Sequence, residues 1–479
     1  MRRSLSTAYF FVVPILAFFF LVFISRFGIG ITPDSMIYIS AAQLFVDTGE
    51  FKSILDGIPL QYMTHYPPGM SMGLTVFNAF TNDFYNSFRL LNALSLYGFL
   101  LAVALVFRSY ISTLSIITLQ LLILVNLSFF DIYEMAWTEP LYILLSFLAL
   151  YTLNLFVNKL SIKWLIISSI LISFSILIRY IGISLIITAV VYIWITLSKE
   201  RVFTRIKYII ILGLLSSTSF VYWSIRNILL VNSSTGRDVS FHPMPLQYYQ
   251  EWLTTTSKFT TSLSVNDLGL IASYIIGALI IILSLIYSAK VLIKVNKSFD
   301  YLLILYPITY FIFLFISNTF YDHTPLYYRI ISPVYILFAI SLYISFVKNE
   351  NIKNKTKVIT ISILIVLHIA KFGMHLIKTD DSKEYNSKEY VIEDTVEKLK
   401  HIDKSILTYV NDPDRYYLLT DGAVADWLKN IEGVKVKDFY VVYFYNGRKQ
   451  NTDKLNKELY KITTIYNTKD VLVQRWTLL

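Results

Sequence analysis

The sequence places one carboxylate and several arginines at the ends of long apolar segments, where ionisable groups are costly. Asp34 follows the first apolar segment, and four arginines lie at or beyond the ends of later ones: Arg179, Arg226, Arg237 and Arg329. Ionisable side chains beside a bilayer are usually functional. A carboxylate accepts a proton from a hydroxyl, and guanidinium groups bind phosphate oxygens through paired hydrogen bonds. The combination predicts proton transfer beside an anion in the outer leaflet, for which a phosphate on a long lipid is the natural candidate.

Three further acids are secondary candidates. Glu139 stands in the run Trp-Thr-Glu-Pro at the start of an apolar segment, and Asp131 and Glu134 lie in the loop before it. An acid at a helix N-terminus is also stabilised by the helix dipole, and acids in outer loops are common. We therefore predict Glu139, and next Asp131, as acids that support the reaction.

Histidines supply the remaining candidates for ligand binding. His65 and Tyr66 precede a Pro-Pro-Gly break, and we predict that both help to shape a donor pocket. His65, His242 and His323 are predicted to lie on the same side as Asp34 and could join it around a divalent cation. Their spacing matches no compact metal motif, so the cofactor is left unknown.

The composition requires a membrane protein to position these groups. Of 479 residues, 55% are hydrophobic and 15% are charged, more apolar surface than a soluble domain can bury. The chain has no cysteine, which excludes disulfides and thiolate chemistry. No Gly-rich phosphate loop is present, so ATP hydrolysis is not supported.

Apolar segments of spanning length predict a polytopic helical bundle with about eleven spans. They cover residues 8–30, 86–107, 111–130, 140–157, 163–178, 181–197, 208–224, 269–288, 301–317, 330–347 and 358–374. With the N-terminus inside, the inner connections hold sixteen Lys and Arg residues and the outer ones eight. This bias predicts a cytoplasmic N-terminus, and an odd number of spans then places the C-terminus outside. The same distribution explains the net charge of +10 without a nucleic-acid partner.

Two regions outside the spans are predicted to be structured. In the outer loop 31–85, Pro33 and the helical spacing of Tyr38, Ala41 and Phe45 predict a surface helix over about 35–47, with Asp34 at its start. Beyond residue 376 the chain is charged and rich in turns. Helical patterns at 382–401, 423–430 and 452–462 alternate there with strand patterns at 406–410 and 438–445 before a last strand pair. This alternation predicts a transmembrane domain at 1–375 and a small extracytoplasmic α/β domain at 376–479.

A series of short motifs in this order resembles a known family. The motifs are Pro33-Asp34-Ser35, Tyr66-Pro67-Pro68-Gly69, Trp137-Thr138-Glu139-Pro140, Arg179-Tyr180-Ile181-Gly182, Arg226-Asn227 with Thr235-Gly236-Arg237, and Tyr328-Arg329-Ile330-Ile331-Ser332-Pro333. Together they resemble the GT-C integral-membrane glycosyltransferases, in particular the bacterial relatives of protein O-mannosyltransferases and the aminoarabinose transferase. The resemblance spans about residues 8–345.

The resemblance implies inverting transfer of a sugar from a polyprenyl phosphate to an acceptor hydroxyl on the outer face of a bacterial inner membrane. It implies Asp34 as the catalytic base, and the acceptor would be a glycan, a lipid or a protein. Many relatives carry a second acid directly after the first, or a Glu or Lys near the proline pair, where this chain has Ser35 and His65.

Other functions remain open at this stage. A lipid-linked glycan polymerase or ligase would share the carrier and the compartment but use a lipid pyrophosphate. A transporter or flippase would place ionisable groups near the middle of the bilayer, whereas this chain keeps its charges at helix ends. An assembly protein would depend on the C-terminal domain and tolerate loss of Asp34. The candidate residues also have structural explanations, because Asp34 could cap a helix and the arginines could snorkel to lipid headgroups.

Overall fold

The fold is mainly α-helical and divides into two compact units. The computed structural model describes residues 2–54, 57–321, 324–378, 381–431, 436–448 and 459–479. The first unit comprises residues 1–26, 64–70 and 89–380. The second comprises residues 27–63, 71–88 and 381–479.

Helices make up most of the described chain, and short strands are concentrated near its C-terminus. The helices are α1 Arg2–Ile24, α2 Pro33–Thr48, α3 Gly69–Thr81, α4 Phe84–Phe107, α5 Thr113–Leu124, α6 Leu127–Tyr133, α7 Glu139–Lys159, α8 Ile162–Ile178, α9 Ile183–Thr196, α10 Val202–Val231, α11 Leu246–Thr261, α12 Val265–Leu268, α13 Leu270–Ile293, α14 Phe299–Phe320, α15 Tyr328–Lys348, α16 Asn354–Lys378, α17 Glu393–Lys400 and α18 Pro413–Leu419. The strands are β1 Lys52–Ser53, β2 Gln61–Tyr62, β3 Thr408–Val410, β4 Asp426–Trp427, β5 Asp438–Phe444, β6 Tyr460–Asn467 and β7 Val471–Leu478.

The predicted polytopic helical bundle is confirmed. Within the part of the chain that the structure describes, eight helices are long and apolar enough to cross a membrane. A ninth span results if α5 and α6, which meet at a bend of 68°, are counted as one. The predicted segments at 163–178 and 181–197 are the shorter apolar helices α8 and α9. Each of the eleven predicted segments therefore coincides with a helix or with the bent pair.

Burial separates helices at the rim of the first unit from those in its interior. In the apolar stretch of each helix, only 11–17% of the residues are buried in α10, α13 and α16, against 61–67% in α4, α7, α14 and α15. Apolar side chains exposed on a rim helix are stable when lipid surrounds them. The interior is packed with aromatic rings: the Phe147 ring lies 5.5 Å from Phe99 and 5.5 Å from Phe299. The buried hydroxyls of Tyr142 and Tyr306 bond at 2.6 Å.

A five-stranded mixed sheet forms the centre of the second unit. The strand order is β4-β3-β5-β7-β6, in which β3 runs parallel to β4 and β5, and β7 runs antiparallel to β5 and β6. Alternation along β5 buries Tyr440, Val442 and Phe444 in one cluster and Phe439 and Val441 in another. This period of two is what a strand covered on both faces requires.

Several predicted elements of the C-terminal region differ from the structure. The predicted strands at 406–410 and 438–445 are present as β3 and β5. The segment at 382–401 is helical only over Glu393–Lys400, and 423–430 forms the short strand β4 and a 3-10 turn in place of a helix. Of the helix predicted at 452–462, residues 460–462 belong to β6, and residues 452–458 lie outside the described residues.

The second unit also contains the helix that was predicted within residues 31–85. This helix, α2, begins at Pro33, about two residues before the predicted start. Just before it, Ile31 forms a parallel bridge with Glu384. Further along α2, the Tyr417 hydroxyl of α18 donates to Oε1 of Gln43 at 2.6 Å. Contacts far apart in sequence therefore hold α2 against the C-terminal residues.

Candidate active site

A buried carboxylate in the first unit joins two of the predicted phosphate-binding arginines. The Glu139 side chain has no solvent exposure, whereas those of Arg179 and Arg329 are 15% and 10% exposed. Nε of Arg329 donates to Oε1 of Glu139 at 2.7 Å, and Nη1 of Arg179 donates to the same oxygen. Nη1 of Arg179 also donates to Oγ1 of Thr138 at 3.0 Å. We call these three charged residues, Glu139, Arg179 and Arg329, the glutamate–arginine cluster.

Breaks between helices bring these three residues together. Glu139 is the first residue of α7, and Pro140 follows it at a position where a helix needs no backbone donor. Arg179 has extended backbone angles between α8 and the 3-10 turn Tyr180–Gly182, so its side chain leaves the helical path. Arg329 lies in the first turn of α15 and stacks over the Trp137 ring at 4.7 Å. The cluster therefore lies where three apolar helices begin or end.

The charges of this cluster favour binding of an anion. Two guanidiniums and one carboxylate carry a net charge of +1, and little water reaches them to screen it. Because Glu139 already accepts hydrogen bonds from both arginines, its contacts favour a role in orienting them over a role in proton transfer. The predicted secondary acid is thus better placed as a positioning residue.

A second cluster, the aromatic–arginine cluster, contains Tyr180, Trp223, Arg226 and Arg237. Nε1 of Trp223 donates to the Tyr180 hydroxyl at 3.1 Å. The Arg226 guanidinium lies 4.5 Å from the Trp223 ring centre, and that of Arg237 lies 5.5 Å from the Tyr180 ring centre. Since Arg179 and Tyr180 are consecutive, the two clusters adjoin, and all four predicted arginines lie in adjoining clusters.

The segment 64–70 packs against the second cluster. The Tyr180 hydroxyl donates to the Thr64 carbonyl at 3.0 Å, and Nη2 of Arg237 donates to the His65 carbonyl at 3.2 Å. His65 and Tyr66 are half-buried, with their rings 5.0 Å apart. Gly236 has a φ of +62°, and a Cβ there would lie 2.4 Å from Oγ1 of Thr64. Arg237 therefore contacts the backbone of His65, whose ring lies against Tyr66, and the role of both residues in a donor pocket stays a prediction.

Asp34 belongs to the second unit and does not serve as the helix cap. The capping residue of α2 is Thr32, whose N–H donates to Oγ of Ser35 at 3.0 Å, with the two hydroxyls 2.9 Å apart. Pro33 takes the first helical position, and Asp34 follows it, half-buried, in the first turn. The structural explanation of Asp34 as a cap is therefore wrong, since Thr32 and Ser35 perform that role.

Within the second unit, Asp34 is near a group of acids at the start of α18. Burial raises the pKa of Asp414 to about 7, and the neighbouring carboxylates of Asp412 and Asp34 add to the rise, while Arg448 opposes it. Nη2 of Arg448 donates to Oδ2 of Asp414 at 2.7 Å. Burial also raises the pKa of Asp412, whose carboxylate accepts from the Tyr385 hydroxyl at 3.3 Å. Asp34 therefore shares an electrostatic environment with C-terminal residues.

Asp131 belongs to a different group of side chains from the other two predicted acids, Asp34 and Glu139. Its carboxylate, that of Glu134 and the imidazole of His375 each offer a ligand atom, and these atoms lie within 4.8 Å of one another. In the part of the chain that the structure describes, no metal-ligating group includes His65 or His242, and His323 lies outside the described residues. Asp131 stays a predicted supporting acid, and its carboxylate lies close to Glu134 and His375.

Two contributors were missed by sequence reasoning. His375 lies in the last apolar helix, one residue beyond the predicted span 358–374, and His368, Lys371 and His375 recur there at helical spacing. Trp223 stands three residues before Arg226 on α10, a spacing that places both on one helix face. Either spacing could have indicated these residues.

Comparison with solved structures identifies the fold. ArnT from Cupriavidus metallidurans in the apo state superposes with a TM-score of 0.62 at 10% identity, over 99% of this chain and 98% of that chain. ArnT bound to undecaprenyl phosphate gives a TM-score of 0.59 at 12% identity, with 97% of each chain covered. No protein-family profile matches the sequence. No curated protein matches it either.

An archaeal protein shares the same architecture over part of its length. The oligosaccharyltransferase AglB from Archaeoglobus fulgidus, in complex with an inhibitory peptide and a dolichol-phosphate, superposes with a TM-score of 0.55 at 12% identity. The match covers 91% of this chain and 69% of that chain. ArnT and AglB are both GT-C proteins, so the predicted GT-C-like fold of a multi-pass membrane protein is confirmed. At this identity the likeness concerns the fold alone.

Proposed function

We propose that this protein transfers a sugar from a polyprenyl-phosphate donor to an acceptor hydroxyl at the outer face of a bacterial inner membrane. The observation that carries the proposal is the buried Glu139 carboxylate that holds Arg179 and Arg329 at the ends of three helices. Fixed guanidiniums in a poorly hydrated site suit a phosphate that stays attached to its lipid. The likeness of the fold to ArnT, which has been solved bound to undecaprenyl phosphate, supports the same donor class.

In this proposal the arginines stabilise the leaving group. As the acceptor oxygen forms its bond to the anomeric carbon, the bond from that carbon to the phosphate oxygen breaks, and its electron pair leaves with the lipid phosphate. The negative charge that develops there is lowered in energy by positive groups already in place. We assign this role to Arg179 and Arg329, with Arg226 and Arg237 as further donors to the phosphate oxygens. His65 and Tyr66, beside Arg237, shape the donor pocket.

We assign the proton transfer to Asp34. The acceptor hydroxyl loses its proton as it attacks, and a carboxylate is a suitable base for this step. Asp34 is half-buried in the first turn of α2 and is not needed as its cap. Its carboxylate interacts with that of Asp414, which Asp412 and Arg448 also influence, so we propose that Asp414 modulates it. The acceptor would be a glycan, a lipid or a protein.

A lipid-linked glycan ligase is the second candidate, and one observation bears on it. AglB, an oligosaccharyltransferase, shares the fold, but this chain spans 69% of AglB against 98% of ArnT. The fuller correspondence with ArnT favours a single sugar on a monophosphate. A transporter is less favoured because the arginines lie at helix ends and bond to a buried carboxylate.

The proposed orientation has the N-terminus in the cytoplasm and the C-terminal residues outside. It rests on the bias of sixteen Lys and Arg residues in the inner connections against eight in the outer ones. Protease accessibility of a C-terminal epitope in intact spheroplasts tests it. Cleavage before lysis is expected, whereas protection until lysis would reverse the orientation.

The donor assay tests the proposal directly. Purified protein in lipid nanodiscs is given radiolabelled undecaprenyl-phosphate sugars and, separately, the matched undecaprenyl-pyrophosphate sugars, together with membrane extract as the acceptor source. Release of labelled sugar from the monophosphate only is the expected result. Release from the pyrophosphate only would establish the ligase instead. If neither donor releases sugar, and Arg329→Lys binds undecaprenyl phosphate as tightly as the wild type does, the proposed donor site is wrong.

A further inference from the structure

A group of three potential metal ligands lies outside the proposed active site. Asp131 is in α6, Glu134 follows that helix directly, and His375 is near the end of α16, more than 230 residues later in the chain. Nε2 of His375 lies 3.0 Å from Oε2 and 3.2 Å from Oε1 of Glu134. One ligand atom from each residue lies within 4.8 Å of the other two. We call these residues the 131/134/375 group.

The distances suit a divalent cation. Zinc binds imidazole nitrogen and carboxylate oxygen at about 2.0–2.2 Å, so neighbouring ligand atoms around a tetrahedral ion are about 3.4 Å apart. The His375 to Glu134 distances are close to this value, and the other separations, all within 4.8 Å, require only a small side-chain movement. The ligand set of one imidazole and two carboxylates contains types that bind zinc and manganese.

The charges of the group are also matched by a dication. Two carboxylates held close together repel each other, and Glu134 is 4% exposed, so water screens it poorly. A cation of charge +2 neutralises both carboxylates and accepts the imidazole as a neutral ligand.

The protein holds Glu134 in place before any ion binds. Asn92, which is fully buried, donates from Nδ2 to the carbonyls of Tyr133 at 3.0 Å and Met135 at 2.7 Å, one on each side of Glu134. On the other side of the group, Phe372, one turn before His375, packs edge-on against Phe130 with ring centres 5.0 Å apart. Both ligand-bearing elements are therefore fixed by contacts that do not involve the ligands.

We propose that Asp131, Glu134 and His375 bind a divalent transition-metal ion, with zinc and manganese as the candidates, and that this ion fastens α16 to α6. Only 11% of the apolar stretch of α16 is buried, so a bound ion would add to the contact that Phe372 makes with Phe130. Three protein ligands also leave a coordination position for water. Asp131 is also a predicted supporting acid of the transferase, but the metal site is argued from the contacts above and does not depend on that function.

Metal binding by the whole protein tests this site. The protein is purified without a histidine tag, stripped with EDTA and exchanged into zinc, manganese, magnesium or calcium. Bound metal is measured by mass spectrometry and thermal unfolding is followed with and without the ion. We expect one zinc or manganese ion per chain and a higher melting temperature when it is bound. No stoichiometric ion, or stabilisation by calcium and magnesium only, would overturn the proposal.

Two variants keep the test decisive even if one of them fails to fold. Asp131→Asn preserves the shape and leaves the His375 to Glu134 contact intact, and it should weaken metal affinity at least about tenfold. His375→Gln should abolish binding. The matched control is Lys371→Met. Lys371 lies on α16 one turn before His375 and pairs with Asp267, so its loss should leave metal affinity at the wild-type value. Equal metal affinity in wild type and Asp131→Asn would show that the ion binds elsewhere.

Discussion

Glu139 and Arg329, which are 190 residues apart in the chain, are joined by a buried hydrogen bond of 2.7 Å from Nε to Oε1. Arg179 donates to the same carboxylate oxygen. One carboxylate and two guanidinium groups, which lie at the ends of three helices, thus form one group with a net positive charge. This group is the basis of the proposed phosphate site.

Replacing Glu139 with Gln should destabilise the protein and impair donor binding. Loss of one partner from a buried ion pair typically costs about 3–5 kcal/mol, because the remaining charges stay buried without compensation. Thermal unfolding and binding of undecaprenyl phosphate are measured together. Glu397→Gln is the control, because Glu397 is exposed on α17. Equal melting temperatures for the Glu139 variant and wild type would contradict the structural role.

Arg226→Lys should raise the KM for the donor while Arg205→Lys should not. The two arginines lie on α10, about 31 Å apart, and each stacks on a tryptophan at 4.4–4.5 Å. Lysine keeps the charge but loses the planar fork, at a cost of about 1.5–3 kcal/mol for a charge-assisted hydrogen bond to phosphate. The expected loss in kcat/KM is about 10- to 100-fold for Arg226→Lys. Similar kinetics for both variants would exclude Arg226 from the donor site.

Gly236→Ala should disturb the segment that carries Arg237. The φ of +62° at Gly236 disfavours a side chain by about 1–2 kcal/mol, and the added Cβ would meet Oγ1 of Thr64. A higher donor KM and a lower melting temperature are expected. Gly213→Ala is the control, because a Cβ there meets nothing within 4 Å and the site is helical. Unchanged stability and KM in Gly236→Ala would mean that the loop tolerates the clash.

Stability should depend on pH through Asp414. The pKa of this buried carboxyl is raised to about 7, above the value of about 3.9 for an unfolded chain. The folded protein therefore holds this proton more tightly, and stability falls as pH rises from about 4 to 7. In Asp414→Asn the fall should be smaller.

Melting temperatures of wild type and Asp414→Asn between pH 4 and 8 test this linkage. Asp394→Asn serves as the control, because Asp394 is exposed and forms a surface pair with Lys398. Its pH profile should follow that of the wild type. Profiles that run parallel for Asp414→Asn and wild type would show that Asp414 does not contribute this dependence.

The sequence predicted the helices well because lipid imposes a simple rule. Long apolar segments must be helical in a bilayer, so each predicted span coincides with a helix or with the bent α5–α6 pair. Proximity of Arg179 and Arg329 was also predicted from their positions at helix ends. What could not be predicted is that Glu139 accepts from both, since sequence spacing carries no information on which side chains meet across helices.

The second unit was harder to predict for a related reason. Its strands are two to eight residues long, and β5 is an apolar run buried on both faces that shows no alternation of polar and apolar residues. The segment 423–430 has helix-forming residues, but Asp426 and Trp427 pair with Tyr409 and Val410 of β3 instead. Ile31, just before α2, pairs with Glu384, and Gln43 of α2 contacts Tyr417. The partners in each contact are more than 350 positions apart in the sequence, so no local pattern reveals them.

The central claim is that Asp34 removes the proton from the acceptor. The most direct measurement is the rate of sugar transfer from the active undecaprenyl-phosphate donor by wild type, Asp34→Asn and Asp34→Glu, with donor binding and melting temperature determined for each. We predict that Asp34→Asn loses about 10²- to 10⁴-fold in kcat with unchanged donor binding, and that Asp34→Glu regains part of the rate. A transfer rate for Asp34→Asn equal to that of the wild type would contradict the account, because an amide cannot accept the proton.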